Sequence, residues 1–318
     1  MNRESLKVLP IVALAASIVA GCGAGQAQDA AEPSPDYVAE IEQFRAERLA
    51  RLKADNGYLN LAGLFWLREG SYRFGAAADN DIVFPPAAPD YIGTFELTPE
   101  GVVMTTLPDS NVMFDGERVE SILMHDDTTD NPVTVTSGSL AWAAVQRDGK
   151  YAIRLRDFEH PALDALPPLP HFNIDPTYRV VARLKRYAEP RIANVGTVIE
   201  GLGYHPTSPG VVEFEIDGQT VDLEAYGVGE RLFFVFGDLT NRDETYPAGR
   251  FLYAAQPGDD GLTVLDFNKS YSPPCAFGDF STCPVASPRN RLDVRIAAGE
   301  KYDPALHVTS LVYERAAN

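Results

Sequence analysis

The chain reads as mainly β: one N-terminal helix, then an antiparallel sandwich resembling the forkhead-associated fold, then a second antiparallel β-rich region. Three observations carry this. Between Tyr58 and Asp157 the hydrophobic period is two, in short runs rich in β-branched and aromatic residues. Gly, Pro, Asn and Asp punctuate those runs at turn spacing, with Asp115-Gly116, Asp148-Gly149 and Asp217-Gly218 as the strongest hairpin signals. The one stretch of helical period, residues 35–54, precedes all of them.

The extreme N-terminus is read as an address. Arg3 and Lys7 form a positive segment, LPIVALAASIVA an apolar one, and Val19-Ala20-Gly21 places small residues before Cys22. The apolar run is too short for a spanning helix. This arrangement resembles the lipobox of bacterial lipoproteins. It implies a signal peptide over residues 1–21, lipidation of Cys22, and an exported protein anchored by lipid to the cell-envelope membrane on its periplasmic face. Residues 22–33 are small and polar, a flexible tether.

The helix opens at Ser34-Pro35, a capping residue followed by proline at the first helical position. Tyr37, Val38, Ile41, Phe44, Leu49 and Leu52 share one face, and Asn56-Gly57 stops the helix. Helix and sandwich together are expected over residues 34–157. The sandwich resemblance lies in pattern alone. Gly75 is followed by Ala76, and the Arg, Ser and His of phosphothreonine readers are missing, so the architecture carries over and phosphopeptide binding does not.

Residues 158–177 are expected to be a proline-rich linker, containing His160 and His171. A β-rich C-terminal domain follows over 178–318. Its apolar run from Leu232 to Phe236 predicts a strand covered on both faces.

The densest mixture of polar side chains and structure breakers is residues 266–302. Pro273, Pro274, Pro284 and Pro288 forbid regular structure, so residues 272–290 are expected to form a long loop. The chain has three cysteines. With Cys22 lipidated, Cys275 and Cys283 remain, and in an oxidising compartment they are expected to form a disulfide that pins the loop. Closing so short a loop stabilises by about 2 to 3 kcal/mol. A zinc site usually needs four Cys or His ligands at tight spacing, so no metal site and no cofactor is expected.

GRFLYA, LDFNKSYSPPCAF and CPVASPRNRLDVRIAAGEK resemble the signature of the domain of unknown function 1684 family. LNLAGLFWLREGSYRFG and DNDIVFP resemble its N-terminal half, so the likeness spans roughly residues 40–303. The resemblance implies no reaction and no substrate.

The candidate ligand-binding residues are Arg250, Tyr253, Asp266, Asn268, Asn290 and Arg291, at strand ends that the loop could cover. A carboxylate, two guanidinium groups, amides and a phenol suit a polar small ligand. The competing role is a network that fastens the loop, with Asp266 paired to Arg250 or Arg291 and the asparagines capping loop amides. Tyr246 belongs to the same neighbourhood. No hydrolase or nucleotide-binding motif occurs, so an enzyme would have to use Asp266 with His205 or His171 as acid and base. An assembly or interaction role is a third reading. The net charge of −18 argues against nucleic acid as a partner and makes lipid, not electrostatics, the membrane contact. Oligomeric state is not legible.

Overall fold

The structure is a computed structural model that describes Met1 and residues 32–309. The signal peptide, Cys22 and most of the tether lie outside the described residues. Among the described residues no helix is long and apolar enough to cross a membrane.

Helix α1 spans Pro35–Lys53, and the Ser34 hydroxyl caps it by accepting the Tyr37 N–H at 3.3 Å. The strands that follow are β1 (Leu61–Trp66), β2 (Gly70–Gly75), β3 (Ile82–Val83), β4 (Gly93–Thr98), β5 (Gly101–Thr106), β6 (Met113–Phe114), β7 (Glu117–Arg118), β8 (Ser121–Met124), β9 (Thr134–Ser137), β10 (Leu140–Arg147) and β11 (Lys150–Asp157). They form two sheets, ordered β1-β11-β10-β9-β6-β7 and β3-β2-β4-β5-β8. Inward-facing residues of both sheets share one core, in which Phe74 stacks on Phe95 at 4.0 Å and meets Trp142 edge-on. This is the expected sandwich.

The linker holds a short helical turn, α2 (Ala162–Ala165), and ends in a 3-10 turn over Pro176–Tyr178 before the second β region begins. Its strands are β12 (Arg179–Ile192), β13 (Val195–Gly196), β14 (Gly203–Tyr204), β15 (Thr207–Ile216), β16 (Gln219–Val228), β17 (Arg231–Phe236), β18 (Arg250–Ala255) and β19 (Leu262–Asp266). Six of them form an antiparallel meander ordered β18-β17-β16-β15-β12-β19. Its two end strands meet, and the Thr263 hydroxyl donates to the Ala255 carbonyl at 2.9 Å. The sheet thus curls into an up-and-down barrel, which hides the exposed edges an open sheet would leave. Alternate residues of every barrel strand fill the interior, among them Leu184, Phe214, Leu223, Phe234, Leu252 and Leu265. Residues 292–298 add Leu292, Val294, Ile296 and Ala298 to the same core.

Strand β17 is covered on both faces, as its apolar run predicts. Leu232, Phe234 and Phe236 point into the barrel, while Phe233 and Val235 pack outside against Phe251, Cys275, Cys283 and Ala286. The outer cover is the proline-rich loop. It is irregular as expected, with only the short turns Pro274–Ala276 and Pro288–Asn290.

Helix α1 precedes the sandwich in sequence, and several of its polar side chains bond to the second β region and its loop. Arg48, buried in the helix, lies 3.5 Å from Glu300, donates to the Ser272 carbonyl at 3.0 Å and sits over the Tyr271 ring. A buried guanidinium needs an acidic partner, and the loop region supplies it.

Candidate functional site

Asp266 ends β19 opposite Arg179 of β12. Its Oδ1 accepts the Asn268 N–H at 3.1 Å, turning the chain into the short turn Phe267–Lys269, and accepts the Tyr37 hydroxyl of α1 at 2.9 Å. Arg179 lies 3.7 Å from Oδ2 and over the Tyr37 ring. Asn268 donates to the Tyr37 hydroxyl and to the Asp175 carbonyl, and accepts the Asp175 N–H at 3.0 Å. Burial, and next the Asp266 charge, pushes the Tyr37 phenol well above its usual pKa, which keeps it a donor. Glu40 completes the contact by pairing with Lys269 at 2.5 Å and Arg179 at 3.3 Å. The expected partners of Asp266, Arg250 and Arg291, are therefore replaced by Tyr37 and Arg179.

Arg250 faces another way. It begins β18 opposite Phe236, which brings it to the turn just after β17. There it pairs with Asp238 at 3.0 Å, both side chains at 0% exposure. It also donates to the carbonyls of Ile296 and Ala298 and to Ser270, and Asp238 accepts the Ile296 N–H at 2.7 Å. Burial lowers the Arg250 pKa and Asp238 opposes it. The pair staples residues 296–298 to the barrel.

Asn290 does not cap the loop. Strands β16 and β17 pair only from Tyr226 to Val228. Where they part, the fully buried Asn290 amide enters: it accepts the Glu224 N–H at 2.8 Å and donates to the carbonyls of Glu224 and Val235. It replaces the missing ladder bonds, because buried backbone groups must be paired. Tyr253 stacks on Phe233 at 4.8 Å beneath the Arg231 guanidinium. Arg291 is exposed. It lines a polar groove of about 380 Å³ with Gln219, Thr220, Asp293 and the paired Arg289 and Asp222.

The acid and base residues do not meet as expected. His205 lies 3.2 Å from Asp148 and 3.0 Å from Asn194, so its carboxylate comes from the β10–β11 turn and not from Asp266. The backbone N–H of Gly203 holds the Asp148 carboxyl below its usual range, with His205 adding to this. His171 is pulled down to about 4 by burial and by Arg45. His160 is buried, and its Nδ1 accepts the Ala162 N–H at 3.0 Å.

Cys275 and Cys283 are both buried and are free thiols in the structure. They are neighbours all the same: the Cys275 N–H donates to the Cys283 sulfur at 3.1 Å, and the Cys275 thiol to the Ser281 carbonyl. Tyr246 donates to the Cys275 carbonyl at 3.2 Å.

The residues missed from sequence are Tyr37, Arg48, Asp238 and Glu300. Tyr37 had a signal, its place on the apolar face of α1, but nothing local pointed to a partner 229 positions away. Asp238 lies two positions past the end of a two-sided strand, a position where a lone carboxylate invites a search for a buried cation.

Residues 164–301 match the family model described as a protein of unknown function, DUF1684. The matched region takes in the barrel, the loop and every candidate ligand residue, and leaves the sandwich outside. Among solved structures, the chain is similar to an uncharacterised protein of Haloarcula marismortui studied by solution NMR. Identity is 29% over 44% of this chain and 79% of that one, with a TM-score of 0.38. No curated protein matches.

Proposed function

We propose that the chain is an exported protein of the cell envelope, anchored through lipid on Cys22 at the periplasmic face, and that its folded part binds a polar small ligand. The anchor rests on the sequence Val19-Ala20-Gly21-Cys22 after an apolar run. Fatty-acid labelling in cells is expected to mark the wild type and not Cys22→Ala. Label retained by Cys22→Ala, or a mature N-terminus beyond residue 22, overturns the anchor. The neighbouring Cys275 and Cys283 would have the loop-pinning disulfide as their oxidised state in that compartment.

The ligand reading is carried by a division of labour. Arg250, Asp266, Asn268 and Asn290 spend their polar atoms on the fold, and Tyr253 on ring stacking, whereas Arg291 stands at the rim of the 380 Å³ groove. Its lining mixes Arg291 and Arg289 with Glu213, Asp222 and Asp293, which suits a ligand carrying both donors and acceptors more than a polyanion. A thermal-shift panel of neutral sugars, amino acids and small carboxylates tests it. A ligand at about 100 times its Kd adds about 2.7 kcal/mol to the folded state. The shift is expected to vanish in Arg291→Gln while the unligated midpoint stays unchanged. A shift that survives Arg291→Gln places the ligand elsewhere.

A further inference from the structure

We propose that Cys275 and Cys283 are a redox-active dithiol that exchanges with a small disulfide in the cavity lined by Tyr246, Cys275, Ser281, Tyr302 and His307. This goes beyond the ligand reading at Arg291 and does not depend on it. Three observations carry it. The Cys275 N–H reaches the Cys283 sulfur at 3.1 Å, so the two side chains are neighbours within one loop. Cys275 borders a cavity of about 220 Å³, a route for a small reactant that a purely structural cystine does not need. His307, held by Asp279 at 3.1 Å, lines the same cavity and is a group able to carry a proton.

Position assigns the roles, since Cys275 lines the cavity, and electrostatics agrees. The Cys283 thiol donates to Cys275 and pulls its pKa below the usual value, with burial opposing, while burial pushes Cys283 well up. Arg154 of β11 favours the thiolate at both sulfurs, and its Nε has no hydrogen-bond partner among the described residues. Cys275 is therefore the attacking thiolate and Cys283 the resolving thiol.

The Cys275 thiolate attacks one sulfur of the substrate disulfide. That S–S bond breaks, and the leaving sulfur departs as a thiolate and takes up a proton. Cys283, losing its own proton, then attacks Cys275 in the mixed disulfide and expels the second substrate thiol. Two cysteine thiols become one disulfide, and one substrate disulfide becomes two thiols.

The test equilibrates the purified full chain in buffers of reduced and oxidised glutathione, followed by acid quench, alkylation and intact mass. The expected result is a reversible two-thiol transition in the folded protein. Cys283→Ser is expected to accumulate one glutathione on Cys275, and Cys275→Ser to react at least about tenfold more slowly. Exchange only after denaturation, or equal rates in the two variants, overturns the proposal. If a variant fails to fold, brief iodoacetamide labelling of the reduced wild type decides: first label on Cys275 supports the assignment, and first label on Cys283 overturns it.

Discussion

Asp238 and Asp266 are both aspartates at the end of a barrel strand, but their arginine partners differ in burial. Arg250 is wholly enclosed, so Asp238→Asn strands a cation away from water. Breaking such a buried pair costs roughly 3 to 5 kcal/mol. The partner of Asp266, Arg179, is 42% exposed, and asparagine keeps an oxygen for the Tyr37 hydroxyl. Asp266→Asn is expected to cost only about 1 to 2 kcal/mol, the range of a hydrogen bond losing its charge. Urea melts of the two variants should therefore separate clearly, with Asp238→Asn the less stable. The reverse order would mean that Asp266, not Asp238, carries the buried charge balance.

At the scale of elements, what was legible in the sequence is what is decided locally. Asp115, Asp148 and Asp217 adopt φ of 51°, 50° and 49°, each followed by a glycine at positive φ, the hairpin turn that the Asp-Gly pairs signal. The Ser34 cap and the two-sided burial of β17 depend on neighbours within a few residues. The docking of α1, the closure of β18 on β19 and the insertion of Asn290 between β16 and β17 do not. Each needs a partner distant in sequence, and a single chain carries no mark of which distant residue answers it. The candidate site shows the same division. Its residues stand out in the sequence because polar groups crowd near prolines, and Arg250, Asp266, Asn268 and Asn290 are buried. Crowding alone does not distinguish a fastening network from a pocket; Arg291 lines a groove, while Arg250 and Asn290 are spent on the fold.

For the whole molecule, His160 and His171 set an acid limit. His171 has its pKa lowered from 6.5 to about 4, and His160 is also lowered, by burial. Between those values the unfolded chain binds a proton at position 171 that the folded chain refuses. Stability from this group is thus full above pH 6.5 and declines as pH falls toward 4. Glu300 acts in the opposite sense, because burial raises its pKa and the folded state holds its proton longer. Denaturant midpoints measured across this window are expected to fall with acidity. His171→Asn should flatten that slope, and an unchanged slope would assign the acid sensitivity to other groups.

The clasp between α1 and the barrel has a consequence in time. A chain that emerges amino end first produces the helix long before its docking surface: Tyr37 waits 229 residues for Asp266, and Arg48 waits 224 for Ser272. Until those partners emerge, the polar anchors of the helix have nothing to hold, although Leu52 already meets Leu59 in the cluster it shares with Ala162 and Phe277; a nascent chain halted within the sandwich would leave Tyr37 and Arg48 unmatched.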